Sequence, residues 1–299
     1  MIYIDSFHFP TVDEINNYMN RNNYTPYPWN LFLYNGLEWI ICKDITIFYG
    51  NNGSGKSTIL HLLANLLNAK KDTEDYEEVI EYKGIEIHGF PDFVKSIRYK
   101  MSVDDYDGTL TLPKTIKLIR SEDVFKRINE RILHNKETLL EEEKAKRTRA
   151  DILSRGYSYK SLKDYDDLVR FIEALKLSKG QYVKAHSPER EMMFSNGQTA
   201  LLLYEKNFEE GGIYLLDEPE NCLSPIYQLK LMEMIIDAVK YFNCQFFICT
   251  HSPLILSLDK AVIYNLDIIP VITQKWEELE NVKTYFQFFM DRKEKFKNG

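Results

Sequence analysis

A glycine-rich segment that starts at residue 50 has the residue types and spacing of a phosphate-binding loop. It fits the pattern G-x-x-x-x-G-K-S, in which Gly50 and Gly55 are the glycines and Lys56 and Ser57 follow. In such a loop, glycines let backbone N–H groups close around a phosphate, the lysine adds a positive charge, and the serine hydroxyl ligates Mg²⁺. The residues that we predict to bind a nucleotide are Gly50, Asn51, Asn52, Gly53, Ser54, Gly55, Lys56, Ser57 and Thr58.

The segments on either side of this loop are those that its chemistry requires. Residues 45–49 form an apolar, β-branched run that predicts a buried strand, and residues 59–63 open an apolar helix. A strand, a glycine loop and a helix in this order place the helix N-terminus at the phosphate. A chance glycine turn before a helix is the alternative, and the order of the three segments argues against it.

Two acids follow an apolar run further along the chain. Residues 213–216 predict a buried parallel strand, and Asp217 and Glu218 come directly after it. The carboxyl end of such a strand is where a ligand crevice forms. We predict that Asp217 holds Mg²⁺ together with Ser57, and that Glu218 polarises the attacking water. Taken alone, the two acids are also compatible with a surface turn.

Two further segments carry polar residues at element ends. Ser195, Asn196, Gly197 and Gln198 open a predicted helix over residues 199–206, and a serine hydroxyl with glycine amides at a helix N-terminus forms an anion site. The alternative is that Ser195 only caps the helix and that the next two residues form a turn. His251 follows the apolar run 244–250. The other histidines are interpreted as polar residues whose ring nitrogens are hydrogen-bonded and which have no chemical role, namely His8, His61, His88, His134 and His186.

The order of these motifs between residues 48 and 251 resembles that of the ABC-type ATPases, whose signature is L-S-G-G-Q and whose switch histidine follows the strand after the acids. The run 215–225, Leu-Leu-Asp-Glu-Pro-Glu-Asn-Cys-Leu-Ser-Pro, together with Thr-His-Ser-Pro at 250–253, looks most like soluble ATPases related to the RecF, SMC and overcoming-lysogenisation-defect proteins. The resemblance implies ATP and Mg²⁺ as cofactors, hydrolysis of ATP to ADP and phosphate, Glu218 as general base, and contact of His251 with the γ-phosphate.

The resemblance also implies partners. In the resembling family the signature completes the site of the opposite subunit, so Ser195, Asn196, Gly197 and Gln198 are expected to act in trans within an ATP-bound homodimer. The implied role is a dimerisation switch in DNA repair, DNA processing or anti-phage defence, with DNA or a nuclease or effector protein as partner. The 48 residues after His251 are too few for a nuclease domain, so DNA cleavage is expected to need a separate protein or an unrecognised site.

Two other functions share the same motifs. One is the ATP-binding subunit of a membrane transporter, and the other is a nucleotide-gated regulatory binding module with little turnover. The Asp-Glu-Pro-Glu-Asn run and the Thr-His-Ser-Pro segment disfavour the transporter, whose cassettes usually differ at those positions. Intact Glu218 and His251 favour turnover over a purely regulatory role.

Three features of the family are not matched clearly. Ser224 stands before Pro225 where related ATPases often have histidine. The glutamine that usually couples the metal site to the helical lobe has no clear equivalent, although Ser121 or Glu122 lies at the corresponding strand end. The adenine-stacking residue is open, and the candidates are Tyr27, Trp29, Phe32 and Tyr34.

Charge and composition narrow the remaining functions. A net charge of −7 and a pI near 5.5 argue against a globally basic nucleic-acid binder, although a local patch remains compatible with phosphate contact. The basic cluster Lys144, Lys146, Arg147 and Arg149 follows three glutamates and is interpreted as a solvated helix face rather than a DNA contact.

The chain starts without a signal peptide and has no apolar run near the ~18 residues of a membrane span, which predicts a cytoplasmic protein. Its four cysteines form no C-x-x-C pair, which disfavours zinc or disulfides.

The predicted fold class is α/β, a P-loop NTPase of the ABC type with a mixed β-sheet core, an antiparallel β-subdomain and a mainly helical insert. Alternating residues at 81–87 and 96–99 indicate the β-subdomain, and the helical spacing of Val124, Ile128 and Ile132 indicates the insert. We predict one domain over 1–299. Within it, 1–120 is the nucleotide-binding lobe, 121–180 the insert, and 181–299 the part with the signature, the acids and His251.

Overall fold

The computed structural model describes residues 2–22, 26–33, 35–72, 80–82, 85–87, 89–104, 108–157, 165–190 and 195–296. The chain divides into two compact units. The first unit comprises residues 1–125 and 196–299, and the second comprises residues 126–195. Tyr34 and His88, both named by the sequence interpretation, lie outside the described residues.

The first unit contains all the described strands. In chain order they are β1 (Ile4–His8), β2 (Trp39–Ile41), β3 (Ile45–Tyr49), β4 (Ile80–Tyr82), β5 (Ile85–Ile87), β6 (Arg98–Met101), β7 (Val103–Asp104), β8 (Gly108–Thr109), β9 (Ile116–Arg120), β10 (Ile213–Asp217), β11 (Gln245–Cys249), β12 (Val262–Asn265) and β13 (Ile272–Thr273). Its helices are α1 (Val12–Asn22), α2 (Trp29–Phe32), α3 (Lys56–Leu66), α4 (Gly89–Ser96), the start of α5 (Ser121–Arg155), α8 (Asn196–Asn207), α9 (Pro225–Phe242), α10 (Glu280–Met290) and α11 (Lys293–Phe296). Short 3-10 helices cover Pro219–Cys222, Ile255–Ser257 and Trp276–Glu278.

A six-stranded sheet forms the centre of the first unit, in the order β13-β12-β3-β11-β10-β9. All pairs from β12 to β9 are parallel, and only β13 is antiparallel. Cys249 at the end of β11 lies opposite Asp217 of β10 and Phe48 of β3. The carboxyl ends of these three strands therefore meet at one edge, which is where the phosphate loop, the acids and His251 follow.

The predicted strands of this sheet agree with the structure because their residues are buried on both faces. Every residue of β3, β10 and β11 is buried, as expected for parallel strands covered on both sides. The run predicted over 213–216 extends to Asp217, and the run predicted over 244–250 is a strand from Gln245 to Cys249. The predicted fold class is confirmed.

A three-stranded antiparallel sheet, β2-β1-β6, gives the mixed architecture. Phe7 in its central strand is buried and contacts the ring of Phe247 from β11, with centroids 5.6 Å apart. Gln245 at the start of β11 is fully buried; its Oε1 accepts hydrogen bonds from the amides of Tyr3 and Ile4, and its Nε2 donates to Ile4 O. This one side chain satisfies the backbone where the small sheet meets the central sheet. The strand predicted at 96–99 starts at Arg98, because α4 continues to Ser96.

The second unit is helical, with the remainder of α5, then α6 (Tyr165–Lys176) and α7 (Lys179–His186). The predicted boundary of the insert at residue 180 falls inside α7, whose N-terminus is capped by Ser178 and Gln181 in a capping box. Lys144 and Lys146 pair with glutamates three residues before them, at 2.6 and 2.7 Å. These pairs agree with a solvated helix face. Across the described parts of both units, every helix is too short or too polar to cross a membrane.

Candidate active site

The loop between β3 and α3 has a backbone that only glycine adopts without strain at two positions. Gly53 and Gly55 have φ angles of +84° and +95°. A Cβ on Gly53 would meet no atom within 4 Å, whereas a Cβ on Gly55 would lie 2.7 Å from Leu31 Cδ2. Gly55 is therefore required both by its conformation and by the close approach of Leu31.

Lys56 begins α3, and its side chain is only 4% exposed. Its Nζ donates to the carbonyls of Gly50 and Asn51, at 2.7 and 3.1 Å, and lies 3.8 Å from Glu218 Oε1. A buried ammonium group must be paired or hydrogen-bonded, and here the loop itself supplies most of the acceptors. These neutral carbonyls are acceptors that phosphate oxygens would replace at a gain in electrostatic energy.

The hydroxyl of Ser57 donates a hydrogen bond of 3.0 Å to Asp217 Oδ1, which joins the phosphate loop to the end of β10. The pKa of Asp217 is raised to about 6, mainly by burial and also by the nearby Glu218 carboxylate, whereas the Ser57 hydrogen bond and Lys56 oppose the shift. A divalent cation beside this carboxylate would favour its ionised form. Two adjacent oxygen donors of this kind fit Mg²⁺.

No group of three or more His, Cys, Asp and Glu side chains within the described residues is arranged to hold a metal by itself. The Ser57 hydroxyl and the Asp217 carboxylate suit Mg²⁺, because proteins usually bind this ion through one or two carboxylates together with waters and phosphate oxygens. Cys42, Cys222, Cys244 and Cys249 are free and buried.

Glu218 adopts a left-handed backbone conformation, with φ 45° and ψ 53°. This conformation is uncommon for a residue with a side chain and costs roughly 1 kcal/mol or more. Its amide donates to Cys249 O at 2.9 Å, and its Oε2 accepts from Asn221 Nδ2 at 2.9 Å. Contacts on both sides therefore hold a strained residue at the point where β10 ends.

His251 lies two residues beyond the end of β11 and is half-exposed. Its Nδ1 is 3.8 Å from Glu218 Oε1 and 3.5 Å from Glu220 Oε1. The structure thus brings Lys56, Ser57, Asp217, Glu218 and His251 together at one sheet edge. Their individual roles stay predictions.

The phosphate loop borders an open pocket of about 310 Å³. It is lined by Tyr27, Leu31, Asn52, Gly53, Gly55, Lys56, Ser57, Thr58 and Glu218. Tyr27 is half-exposed, and its hydroxyl hydrogen-bonds to that of Thr58. Trp29 and Phe32 are buried in the core, where Trp29 stacks on Tyr18 at 3.8 Å. Of the three described aromatic candidates, Tyr27 is therefore the one that faces the site.

Two acids at this site were not predicted from the sequence. The Oε1 atom of Glu220 accepts hydrogen bonds from Thr250 Oγ1, His251 N and Ser252 N, at 2.7, 2.9 and 3.1 Å. Asp267 accepts from the amide of Asn51, 2.8 Å from Oδ1 and 3.0 Å from Oδ2. The second glutamate of the Asp-Glu-Pro-Glu run was the sequence signal for Glu220. No pattern of neighbouring residues in the sequence indicates a role for Asp267, which is 216 positions from Asn51, the residue whose amide it binds.

The S-N-G-Q segment opens α8, which begins at Asn196 directly after Ser195. Ser195, Asn196 and Gln198 are exposed, and a Cβ on Gly197 would lie 2.7 Å from Tyr227 Cδ2 of α9. Asn196, Gly197 and Gln198 are not among the described residues that line the pocket of the phosphate loop. The glycine at position 197 is thus explained by the close packing of α8 against Tyr227 of α9.

The structure describes both places where the sequence departs from the family pattern: the place of the coupling glutamine, at Ser121 or Glu122, and the place of the histidine before Pro225, at Ser224. Ser121 is buried at the start of α5, where its hydroxyl accepts a 3.4 Å hydrogen bond from Asn221 and its carbonyl accepts from Cys222 Sγ. Glu122 is among the carboxylates that raise the pKa of Asp217. Ser224 is exposed in an extended conformation just before α9.

The central sheet carries a phosphate loop after β3, two acids at the end of β10 and a histidine just beyond β11, which is the arrangement of a P-loop NTPase fold of the ABC type. A family model described as an AAA domain matches residues 37–295, and the chain belongs to this family. No curated protein matches the chain significantly.

Solved structures with a similar fold include the SMC head domain from Thermotoga maritima, at 11% identity and a TM-score of 0.40, with 92% of this chain and 100% of that one covered. The Smc head domain of Pyrococcus furiosus, bound to the C-terminal domain of ScpA, is 12% identical with a TM-score of 0.40 and covers 96% of this chain and 100% of that one. The dimeric ATP-binding cassette MJ0796 with ADP and Pi is 14% identical with a TM-score of 0.34, covering 79% and 88%.

Proposed function

We propose that this chain hydrolyses ATP and works as an ATP-driven dimerisation switch. Two chains close over two Mg-ATP molecules, and hydrolysis with product release reopens them. The observation that carries the proposal is the 3.0 Å hydrogen bond between Ser57 and Asp217, because it joins the phosphate loop to the acidic strand end. Lys56 lies 3.8 Å from Glu218 at the same edge.

Residues of the loop bind the phosphates of ATP. The amides of the loop 50–58 and the N-terminus of α3 face the anion, and the Lys56 ammonium exchanges its carbonyl partners for phosphate oxygens. Ser57 and Asp217 hold Mg²⁺, which, when bound, offsets the negative charge of the phosphates. Tyr27, half-exposed at the pocket, stacks on the adenine ring.

Glu218 is the general base for attack of water on the γ-phosphate. Its carboxylate is a quarter exposed and lies within 3.8 Å of both Lys56 Nζ and His251 Nδ1. A γ-phosphate near these two side chains leaves the carboxylate beside the attacking water, from which it accepts the proton. His251 donates a hydrogen bond to the γ-phosphate and thereby senses whether it is present.

The partner chain supplies the remaining contact. Ser195, Asn196, Gly197 and Gln198 stand at the N-terminus of a 12-residue helix, where free amides and the helix dipole favour an anion. Three of them are exposed. We assign this segment to the γ-phosphate of the opposite chain, which makes ATP the bridge of the dimer.

The dimerisation switch acts on DNA or on a nuclease or effector protein, in DNA repair, DNA processing or anti-phage defence. The support is the resemblance of the acidic run and of the Thr-His-Ser-Pro segment to ATPases of that kind. A transporter subunit and a regulatory module with little turnover are the alternatives. A transporter subunit would be expected to show turnover that depends on a membrane partner.

The test is steady-state ATP hydrolysis by the purified chain, wild type beside Glu218→Gln, with and without double-stranded DNA at low and moderate salt. Glu233→Gln on the exposed face of α9 is the matched control. We expect Glu218→Gln to bind ATP, lose turnover by at least about a hundredfold, and elute as a dimer only with Mg-ATP. Equal turnover in wild type and Glu218→Gln would refute the proposed base.

DNA stimulation that fades with salt would support the DNA role, because phosphate contacts carry that salt dependence. An ATP-dependent dimer whose turnover ignores DNA would instead favour a protein partner. An ATP-binding chain without turnover under all these conditions would favour the regulatory module.

A further inference from the structure

Glu220 lies in the 3-10 helix Pro219–Cys222, two residues beyond the proposed base, and its side chain is only 6% exposed. Its Oε1 atom is the common acceptor for the loop Thr250–Ser252, here called the switch loop. The donors are the Thr250 hydroxyl and the amides of His251 and Ser252. One buried carboxylate oxygen therefore fixes the backbone on which His251 is mounted.

The same oxygen also lies beside the imidazole. Glu220 Oε1 is 3.5 Å from His251 Nδ1, closer than the 3.8 Å to Glu218. A carboxylate beside Nδ1 orients the ring. The remaining ring nitrogen, Nε2, is then the atom available to a ligand.

The second oxygen of Glu220 has an unusual environment. Within the described residues, Oε2 is buried and has no hydrogen-bond partner, and the same holds for the hydroxyl of Tyr204. Tyr204 belongs to α8, the helix that starts with the S-N-G-Q segment, and α8 packs against the 3-10 helix that carries Glu220. Buried polar atoms are rarely left without partners, so an unpaired acceptor and an unpaired donor on packed elements call for a physical reason.

The electrostatics of Tyr204 agree with this proximity. Burial raises the pKa of its hydroxyl well above 10, and Cys222, Glu220 and Asp217 add to the shift. Tyr204 therefore stays protonated and can only gain by donating its hydrogen to a carboxylate.

We infer that Glu220 is the positioning residue of His251, and that the Tyr204 hydroxyl donates to Glu220 Oε2 when the switch loop engages ATP. The inference rests on the proposed hydrolysis of ATP. It connects α8, which starts with the S-N-G-Q segment, to the histidine: a movement of α8 on dimer closure pairs the two buried atoms and fixes the switch loop. Neither Glu220 nor Tyr204 touches the nucleotide in this scheme.

The first experiment measures kcat and KM for wild type, Glu220→Gln and Glu220→Ala. The same two substitutions at Glu220 are then measured in a His251→Ala background, with His251→Ala itself as the reference. Glutamine keeps an acceptor for the three donors, so we expect kcat to fall about tenfold or more in the alanine variant and less in the glutamine variant, with KM within about twofold. In the His251→Ala background, Glu220→Gln should have no further effect. An equal loss in both backgrounds would mean that Glu220 does not act through His251.

The second experiment separates this inference from the proposed function. If wild type shows no turnover, hydrogen exchange of the nucleotide-free full chain still reports on the switch loop. We expect the amides of His251 and Ser252 to exchange about tenfold faster in Glu220→Ala, which removes the acceptor, than in wild type, with the amides of β11 unchanged. Unchanged exchange at His251 and Ser252 would overturn the inference whatever the turnover.

The third experiment tests the Tyr204 step with Tyr204→Phe. The control is Tyr264→Phe, which removes another buried hydroxyl, one that bonds the backbone of Ile41. We expect Tyr204→Phe to lower kcat several-fold without lowering the melting temperature of the free protein, because it removes an atom that is unpaired there. The control should lower the melting temperature and keep kcat. Wild-type kcat in Tyr204→Phe would overturn the step.

Discussion

Ser57 and Asp217 are 160 positions apart in the chain and form a 3.0 Å hydrogen bond. This contact exists because β3 and β10 are both neighbours of β11 in one parallel sheet, so that their carboxyl ends lie at the same edge. Two oxygen donors, one from the phosphate loop and one from the strand end, thereby face a single point.

Removing either oxygen should weaken metal-dependent binding of ATP. We expect Ser57→Ala and Asp217→Asn to lower the affinity for ATP in Mg²⁺ by about tenfold or more, and to have little effect in EDTA, because these residues act through the metal. Titration calorimetry in both buffers measures this difference. A similar loss with and without Mg²⁺ would contradict the assignment of the metal site.

The raised pKa of Asp217 predicts how stability depends on pH without metal. The carboxyl group has a pKa of about 6 when folded and 3.8 as its ordinary value, so the folded state binds more protons between these values. The free energy of unfolding should therefore fall as pH rises from about 4 to 6, by up to about 3 kcal/mol. Urea unfolding in EDTA at pH 4 and pH 7.5 measures it.

Asp217→Asn is the comparison for that measurement. Its amide does not titrate, so the variant should gain stability relative to wild type at pH 7.5 and much less at pH 4. An equal difference between the two proteins at both pH values would show that Asp217 is not the titrating group.

The two loop glycines should respond differently to alanine. An alanine at position 53 would have free space but would have to adopt the positive φ angle of the loop, and we expect Gly53→Ala to cost about 1 kcal/mol of stability. Gly55→Ala adds the overlap with Leu31 and should cost about 1–3 kcal/mol more. Leu31→Ala in the same chain should recover part of that extra cost. Thermal or urea unfolding of the four proteins measures this, and equal costs at both glycines would refute the steric argument.

Tyr27 should contribute to ATP affinity through its ring rather than its hydroxyl. We expect Tyr27→Phe to bind ATP nearly as wild type does, and Tyr27→Ala to bind about tenfold more weakly, because a stacking surface is lost. Trp29, buried on the other side of the same short segment, is not expected to contact the nucleotide. Fluorescence titration with a labelled ATP analogue measures the effect, and similar affinities in all three proteins would exclude Tyr27 as the adenine platform.

The chemistry of the loop was predictable from sequence because it depends on neighbours along the chain. The spacing of Gly50, Gly55, Lys56 and Ser57 fixes which backbone groups and side chains meet a phosphate. The runs that became β3, β10 and β11 were recognisable because strands buried on both faces consist of continuous apolar residues. These local patterns were sufficient for the fold class and for the position of the acids.

Other features are decided only by tertiary packing. Tyr27 faces the pocket while Trp29 points into the core, although both are aromatic residues of one short segment. Asp267 binds the amide of Asn51 only because β12 lies beside β3. Glu220 reaches Thr250 of the switch loop, 30 positions away, because β10 and β11 are adjacent. Contacts between distant parts of the chain depend on how strands are ordered in the sheet, which residue spacing alone does not specify.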